Sequence, residues 1–371
     1  MIGKNRSRKL TRHKKTSNNT VIEIDPCSPL EILKLQAGLS KIAEGEGVAF
    51  VAGRGKRKPQ LQQLYEELEE CGERLMKYKE CFEVMGKGRN SYSKTDVEAT
   101  FMRMKEDHML NGQLKPAYNV QIAVENYFII HSHVSSDRTD YSTLIPVLEK
   151  HKEAFGRHVG EVTADSGYCS ERNLLFLKEE GITGYIKLQD HEKRKTRAYK
   201  EDIGKYYNMK REVFEDEAYY VCHDGRQLLH IRTEKRHQDG YEQTIEVYGC
   251  ADCGGCPHKA RCLYKYDGKK DQEKNKVMKI NERWEDLKEE AHGNIQSEKG
   301  ILNRQIRSIQ TEGHFGDIKE NEDFRRFNYR SQEKVFKEFL LYAMGRNLNK
   351  YHRFRHGKIK KFEGKPEEPA A

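Results

Sequence analysis

A chain of 371 residues is long for a single domain, so one large domain with an insertion, or two domains, is the expectation. Charged residues make up 34% and the hydrophobic class 36%, a polar balance, yet 9% aromatics and recurrent apolar runs permit a core and exclude a fully disordered chain. The net charge of +9 arises from 68 Lys and Arg against 59 Asp and Glu, so the placement of charges matters more than their sum.

Residues 1–26 read as a basic flexible arm: Lys4, Arg6, Arg8, Lys9, Arg12, Lys14 and Lys15 occur there with no acid among them. Arg54 to Lys58 and Lys350 to Lys361 are also basic. Such clusters suit a polyanion, since each cation near a phosphate displaces condensed counterions; solvated tails are the plainer alternative. Leu10 to Thr20 is polar, so no signal-peptide core follows the basic start, and no apolar run approaches the ~20 residues of a membrane helix. A reducing cytoplasm is the expected compartment, with the cysteines as free thiols or metal ligands.

Ser28-Pro29-Leu30-Glu31 has the form of a capping box with proline at the first helical position. Leu30, Leu33, Ala37 and Ile42 are expected to line one face of the helix that follows, and Val51 to Lys58 breaks it as a loop. Leu61, Leu64, Leu68, Cys71, Leu75, Tyr78 and Phe82 recur every three or four residues, the pattern of a long amphipathic helix that packs or spaces. From Ala117 the period becomes two: Tyr118, Val120, Ile122 and Val124 alternate, then Phe128 and Ile130 follow a tight turn at Glu125-Asn126-Tyr127. Tyr141 to Ala154 reads as a helix, Val162 to Asp165 as a short strand ending at an acid, and Ser170 to Leu177 as a capped helix closed by Gly181. Ile182 to Leu188 is a further strand. Strands alternating with helices indicate an α/β layer with a mixed sheet. Residues 190–290 differ, with charge runs, tyrosine-rich strand pieces (Glu217 to Cys222, Gln243 to Tyr248) and clustered cysteines, and look like an insertion. Helical periodicity returns from Asn303 through Ile318 to a turn near Asn328. A last helix carries Val335, Phe336, Phe339, Leu340, Ala343, Met344 and Leu348 on one face.

With 59 acids present, three carboxylates mean something only through their local segments. Thr95-Asp96-Val97-Glu98-Ala99 resembles the Thr-Asp-Pro-Asp-Ala segment around the first catalytic Asp of DDE transposases of bacterial insertion sequences; a turn or helix cap is the alternative use of Thr-Asp. Ala164-Asp165-Ser166-Gly167-Tyr168 is similar to the Ala-Asp-Ala-Gly-Tyr segment of the second Asp. There the glycine lets the backbone turn so that the acid faces a cleft at the sheet edge. Glu312-Gly313-His314-Phe315-Gly316-Asp317-Ile318-Lys319 resembles the Glu-x-x-Phe-Gly-x-x-Lys segment of the third acid. Glu312 and Lys319, two turns apart, would share a helical face. The Tyr and Arg that precede this Glu in a related signature have no counterpart, since Gln305 and Ser308 stand there. A packed or solvated role is expected of His314.

The resemblance, from about Asn90 to Tyr351, implies an α/β fold with a ribonuclease H-like mixed sheet flanked by helices and a strand-rich insertion between the second Asp and the Glu. With the readings above, the chain is expected to divide into the arm (1–26), a helical N-terminal region (27–88), the first catalytic part (89–189), the insertion (190–290), the second catalytic part (291–355) and a tail (356–371). It implies DNA cleavage at element ends and strand transfer, with Asp96, Asp165 and Glu312 holding two Mg²⁺ ions, Mn²⁺ as a substitute. Magnesium prefers hard oxygen ligands, and a pair of ions serves both the attacking and the leaving oxygen. Lys319, Arg325, Arg326 and Arg330 would bind DNA, the partners being the terminal inverted repeats and the target. A homodimer is expected on DNA, with no membrane and a nucleoid-associated, cytoplasmic location. Nothing before Asn90 resembles a complete repeat-reading helical domain, so a truncated, inactive DNA-binding remnant is one alternative; a nuclease of the same fold without strand transfer is another.

Cys250-x2-Cys253-x2-Cys256-x5-Cys262 places four thiols in a short span. Zinc takes four soft ligands in a closed tetrahedral site. A structural zinc ion stapling the insertion and four reduced thiols without metal both fit this spacing.

Overall fold

The computed structural model describes residues 29–358 apart from 54, 87, 105–111, 216, 239 and 240, and these fall into two compact units divided between Ser91 and Tyr92. The basic arm, Ser28 and the tail beyond 358 lie outside the described residues. In the first unit α1 (Pro29–Gly45) packs on α2 (Gln60–Met85) where Ile32 meets Gly72. The buried face of α1 is Ile32 and Ala43, not the expected Leu30, Leu33 and Ile42, which are exposed. Ile32 sits against a glycine, where no side chain holds the partner backbone away. On α2, Leu61 to Leu75 are covered in part, whereas Tyr78 and Phe82 stand in solvent.

The second unit opens with a two-stranded ladder, β1 (Thr100–Arg103) against β2 (Leu114–Ala117). The period-two segment forms the antiparallel hairpin β3 (Asn119–Glu125) and β4 (Phe128–Ser135). Asn126 and Tyr127 both have positive φ, 48° and 69°, as a two-residue turn with right-handed strand twist requires. α3 (Leu144–Phe155), β5 (Glu161–Ala164), α4 (Glu171–Glu179) and β6 (Thr183–Ile186) follow, and β5 pairs with β6 in parallel across the α4 crossover. Ser170 caps α4 by accepting the Asn173 N–H at 3.3 Å, and Gly181 (φ 67°) turns the chain out of it. The core beneath is Leu144, Leu148, Leu174, Leu177, Ile186 and Leu287.

The segment read as an insertion is one antiparallel sheet of five strands: β7 (Lys210–Phe214), β8 (Glu217–Val221), β9 (Gln227–Gln238), β10 (Tyr241–Cys250) and β11 (Val277–Ile280), in the order β11-β10-β9-β8-β7. Glu171, buried on α4, ties this sheet to the α/β layer. Its carboxylate accepts from Gln243 (2.9 Å), Asn281 (2.7 Å) and Arg283 (2.8 Å), as a buried charge must be compensated.

α5 (Glu282–Gln296) and α6 (Glu298–Arg307) meet so closely at Gly300 that a β-carbon there would lie 2.1 Å from the Asn294 carbonyl oxygen. Beyond α6 the backbone widens into π-helical turns at Ser308–Glu312 and Asp317–Asn321, separated by a short α-helical piece. α7 (Gln332–Arg355) buries Val335, Phe339, Ala343 and Arg346; Leu340, Met344 and Leu348 of the expected face are exposed. The buried residues recur every three or four positions, so β4 and the π-turned helix cover one stripe of α7.

The chain is thus α/β. The expected single mixed sheet is not continuous among the described residues: the β3–β4 hairpin and the β5–β6 pair are separate ladders. β3 and β5 both line one large cleft, so side chains rather than a shared ladder meet there.

Candidate active site

That cleft, about 1980 Å³, exceeds the roughly 300–1,000 Å³ of a small-molecule pocket and has the scale of a polymer groove. β5 delivers Asp165 to it from its carboxyl end. Burial pushes the Asp165 carboxyl up, but the Ser166 hydroxyl (3.0 Å), the Arg307 guanidinium and the N–H groups of Ser166 and Gly167 outweigh it and hold the group below its ordinary value. It is therefore a carboxylate at neutral pH.

Glu312 enters the cleft from the first π-helical turn. Its Oε1 accepts from Arg307 Nη2 at 2.7 Å and its Oε2 from the Ser308 hydroxyl at 3.2 Å. Arg307 thus pairs with Glu312 directly, and its positive charge also favours the ionised form of Asp165, an acid far away in sequence. π-Helical turns recur at functional sites because the wider backbone re-aims side chains. Lys319 follows in the second such turn and also lines the cleft, as do Arg325 and Arg326. Arg325 is paired with Glu320 (3.1 Å) and Asp323 (3.0 Å).

Asp96 is placed differently. It does not line the cleft. Its Oδ2 accepts from the Tyr118 hydroxyl (2.9 Å) and the Ser331 N–H (3.2 Å), and Glu98 accepts from the Gln332 N–H. The two acids cap α7, where orphan N–H groups and the helix dipole favour negative charge. Arg330 lies beside this cap, with Nη1 3.5 Å from the Thr95 carbonyl oxygen. Asp96 thus caps a helix end distant in sequence, and its partner Tyr118 lines the cleft.

Another acid occupies the cleft beside Asp165. Asp140 Oδ1 accepts from the Asn119 and Gln121 amides, each at 2.8 Å. Its Oδ2 lies 2.8 Å from where a Gly167 β-carbon would stand, so a larger residue at 167 would have to displace the Asp140 carboxylate. Burial, then Asp140 and Asp165, push the Tyr168 phenol well above its ordinary value, and its hydroxyl donates to Gln121. Asp140 was missed in the sequence because it stands in an irregular polar loop; its partners Asn119 and Gln121, polar residues on one face of a strand, were the available signal.

His314 is packed, one of the two roles expected. It is 2% exposed, donating from Nε2 to the Tyr127 carbonyl oxygen (2.9 Å) and accepting at Nδ1 from Arg346 Nε (3.2 Å). Burial lowers it to about 4.

Cys250, Cys253, Cys256 and Cys262 gather around a second, much smaller cavity of about 20 Å³, together with Cys222, which the spacing motif does not contain. Burial pushes the Cys250 thiol up to about 11. Among the described residues no three His, Cys, Asp or Glu side chains already stand as a metal ion's ligand set, and no helix is long and apolar enough to cross a membrane.

No curated protein and no solved structure matches the chain. Residues 221–352 match the family model described as the transposase DDE domain, a stretch that holds Glu312, Lys319 and the cysteines, with Asp96 and Asp165 before it. Over residues 221–352 the chain is therefore similar to the DDE domain of transposases, which bears out the resemblance read from the segment around Glu312.

Proposed function

We propose that the protein cleaves DNA at the ends of a mobile element and joins the freed ends to target DNA, using carboxylate-held divalent ions in a ribonuclease H-like catalytic domain. The observation that carries this reading is that Asp165 and Glu312, far apart in sequence, line one cleft of polymer dimensions together with Arg307, which pairs with Glu312. Support for the core comes from element order: an antiparallel hairpin, a helix, then a parallel strand pair with the acid at the end of its first strand.

The donors fit magnesium, a hard ion that takes carboxylate oxygens, and Asp165 is held ionised for that role. Asp165 and Glu312, with Asp96, are the residues that would hold it. Asp140, which lines the cleft where Asp96 does not, is the second candidate for the third ligand. When bound, a pair of such ions activates the attacking oxygen and stabilises the leaving one. Arg307 offsets the repulsion between the two acids in the absence of DNA. Lys319, Arg325 and Arg326 on the lining supply cations to the phosphodiester backbone, and Arg330 at the α7 cap extends the track. A homodimer would let two element ends react together.

The test uses labelled element-end DNA and Mg²⁺, with wild type, Asp165→Asn and Glu312→Gln. The expected result is cleavage and joining by wild type, and binding without cleavage by both variants. Cleavage without joining in wild type marks a nuclease, and binding alone marks a remnant.

A further inference from the structure

The helix α7 is apolar on two opposite sides. Val335, Phe339, Ala343 and Arg346 form its buried stripe. Half a turn away, Leu341, Met344, Leu348 and Tyr351 follow one another at steps of three, four and three residues and are 57–72% exposed. Leu340 borders them and is also exposed, and none of the five lines the cleft. The same spacing continues to Lys337 before the row and Arg355 after it, so an apolar block about three turns long stands between two cations. Steps of three and four residues are those of a seam along which helices pair.

Gly345 lies beside the middle of this block. A glycine inside a helix weakens it relative to alanine, yet neither a positive φ nor a close neighbour calls for one here: among the described residues nothing lies within 4 Å of where its β-carbon would stand. Its missing side chain serves a backbone that approaches from outside. The exposed area suits a second copy. At roughly 150–200 Å² for a wholly exposed side chain of this size, the five residues present on the order of 500 Å² per copy. Two copies would bury on the order of 1,000 Å², the lower limit of a specific interface and the range of transient ones.

We propose that two copies of the chain meet through this face of α7, crossing at Gly345, in a weak dimer. A row that crosses its own copy at the midpoint is self-complementary, as two-fold pairing requires: Met344 of each copy packs on Leu348 of the other. Helices lying side by side would bring the cations at Lys337 and Arg355 together in either direction. Helices that cross at about 50° diverge from the contact and keep those ends apart. The surface follows from the helix alone; the use of the pair, to hold two element ends for joining, rests on the transposase reading above.

Sedimentation equilibrium of the full chain tests this, at up to about 200 µM and in about 0.5 M salt, which screens the net charge of +9. Wild type is expected to dimerise with a dissociation constant on the order of 10 µM. Leu348→Lys and Gly345→Gln should each weaken the dimer about tenfold or more, and Leu229→Lys, at an exposed apolar residue of β9, should leave it unchanged. Trp284 fluorescence in urea should show both stripe variants as stable as wild type, since each site is open in the single copy. Wild type that stays monomeric overturns the proposal, as does a dimer that survives both stripe variants. Leu348→Lys that unfolds in less urea than wild type also overturns it, because the face would then be covered within one copy. A monomer that cleaves and joins DNA sinks this proposal and leaves the transposase reading standing; a stripe-dependent dimer that never cleaves does the reverse.

Discussion

Arg346→Met removes the guanidinium that fastens α7 to the helix bearing Glu312. Arg346 is 6% exposed and donates from Nη2 to Asp317 (2.7 Å), from Nη1 to Glu322 and from Nε to His314 (3.2 Å). Through His314 the chain of bonds continues to the Tyr127 carbonyl oxygen in the β3–β4 turn. Removing one partner of a wholly buried pair costs about 3–5 kcal/mol, because the remaining charge is stranded. Here the stranded carboxylates are 33% and 35% exposed, and Lys350 stays 3.7 Å from Asp317, so water and a second cation recover part of the loss. About 2–4 kcal/mol is therefore expected for the second unit, methionine keeping most of the apolar stem. Trp284, the single tryptophan, packs against that unit's core, so its fluorescence in a urea titration reads the right transition. A loss below about 1 kcal/mol, the value of a surface pair, would show that the network is ornamental and refute the reasoning.

The same network sets a pH dependence. His314 has its ordinary value of 6.5 when unfolded and about 4 when folded, so the unfolded chain binds the extra proton between those limits. Stability is complete above 6.5 and falls as pH drops toward 4, by at most about 3 kcal/mol. His314→Gln should flatten that slope in urea titrations across the window, and an unchanged slope would assign it to other groups. Gly300→Ala forces a β-carbon to 2.1 Å from the Asn294 oxygen, which is backbone and cannot rotate away. A loss of about 1–3 kcal/mol is expected, and a neutral result would mean that α5 and α6 can part freely. Asp140→Asn and Asp96→Asn, compared at equal DNA occupancy, separate the two candidates for the third ligand. If Asp96 only caps α7, Asp96→Asn lowers stability by about 1 kcal/mol and leaves cleavage largely intact, while Asp140→Asn abolishes it. The reverse pattern restores Asp96 to the ligand set.

Features with local causes were legible in the sequence. Alternation from Tyr118 to Val124 and the Asn126-Tyr127 turn specify the hairpin, and Ser170 with Gly181 brackets α4. Asp165 could be placed because strand, small residue and glycine lie within a few positions of it. What escaped depends on partners distant in sequence. Asp96 and Glu98 have cap chemistry, but the helix they cap begins at Gln332. Cys222 joins the other thiols only because three strands stand in register. The π-helical turns leave no mark in an apolar pattern that would equally well describe a regular helix, so Glu312 and Lys319 reach the cleft by a path that simple two-turn spacing does not describe. The face of α7 was half anticipated, since Arg346, a charged residue, takes a buried position that apolar counting passes over.

The most direct test of the central claim exchanges the ligand atom of Asp165. In Asp165→Cys a sulfur replaces oxygen, which Mg²⁺ takes poorly and softer Mn²⁺ accepts. With folding verified by Trp284 fluorescence, the expected result is no cleavage of element-end DNA in Mg²⁺ and recovered cleavage in Mn²⁺. Wild-type cleavage in Mg²⁺ by this variant would contradict a metal-holding role for Asp165.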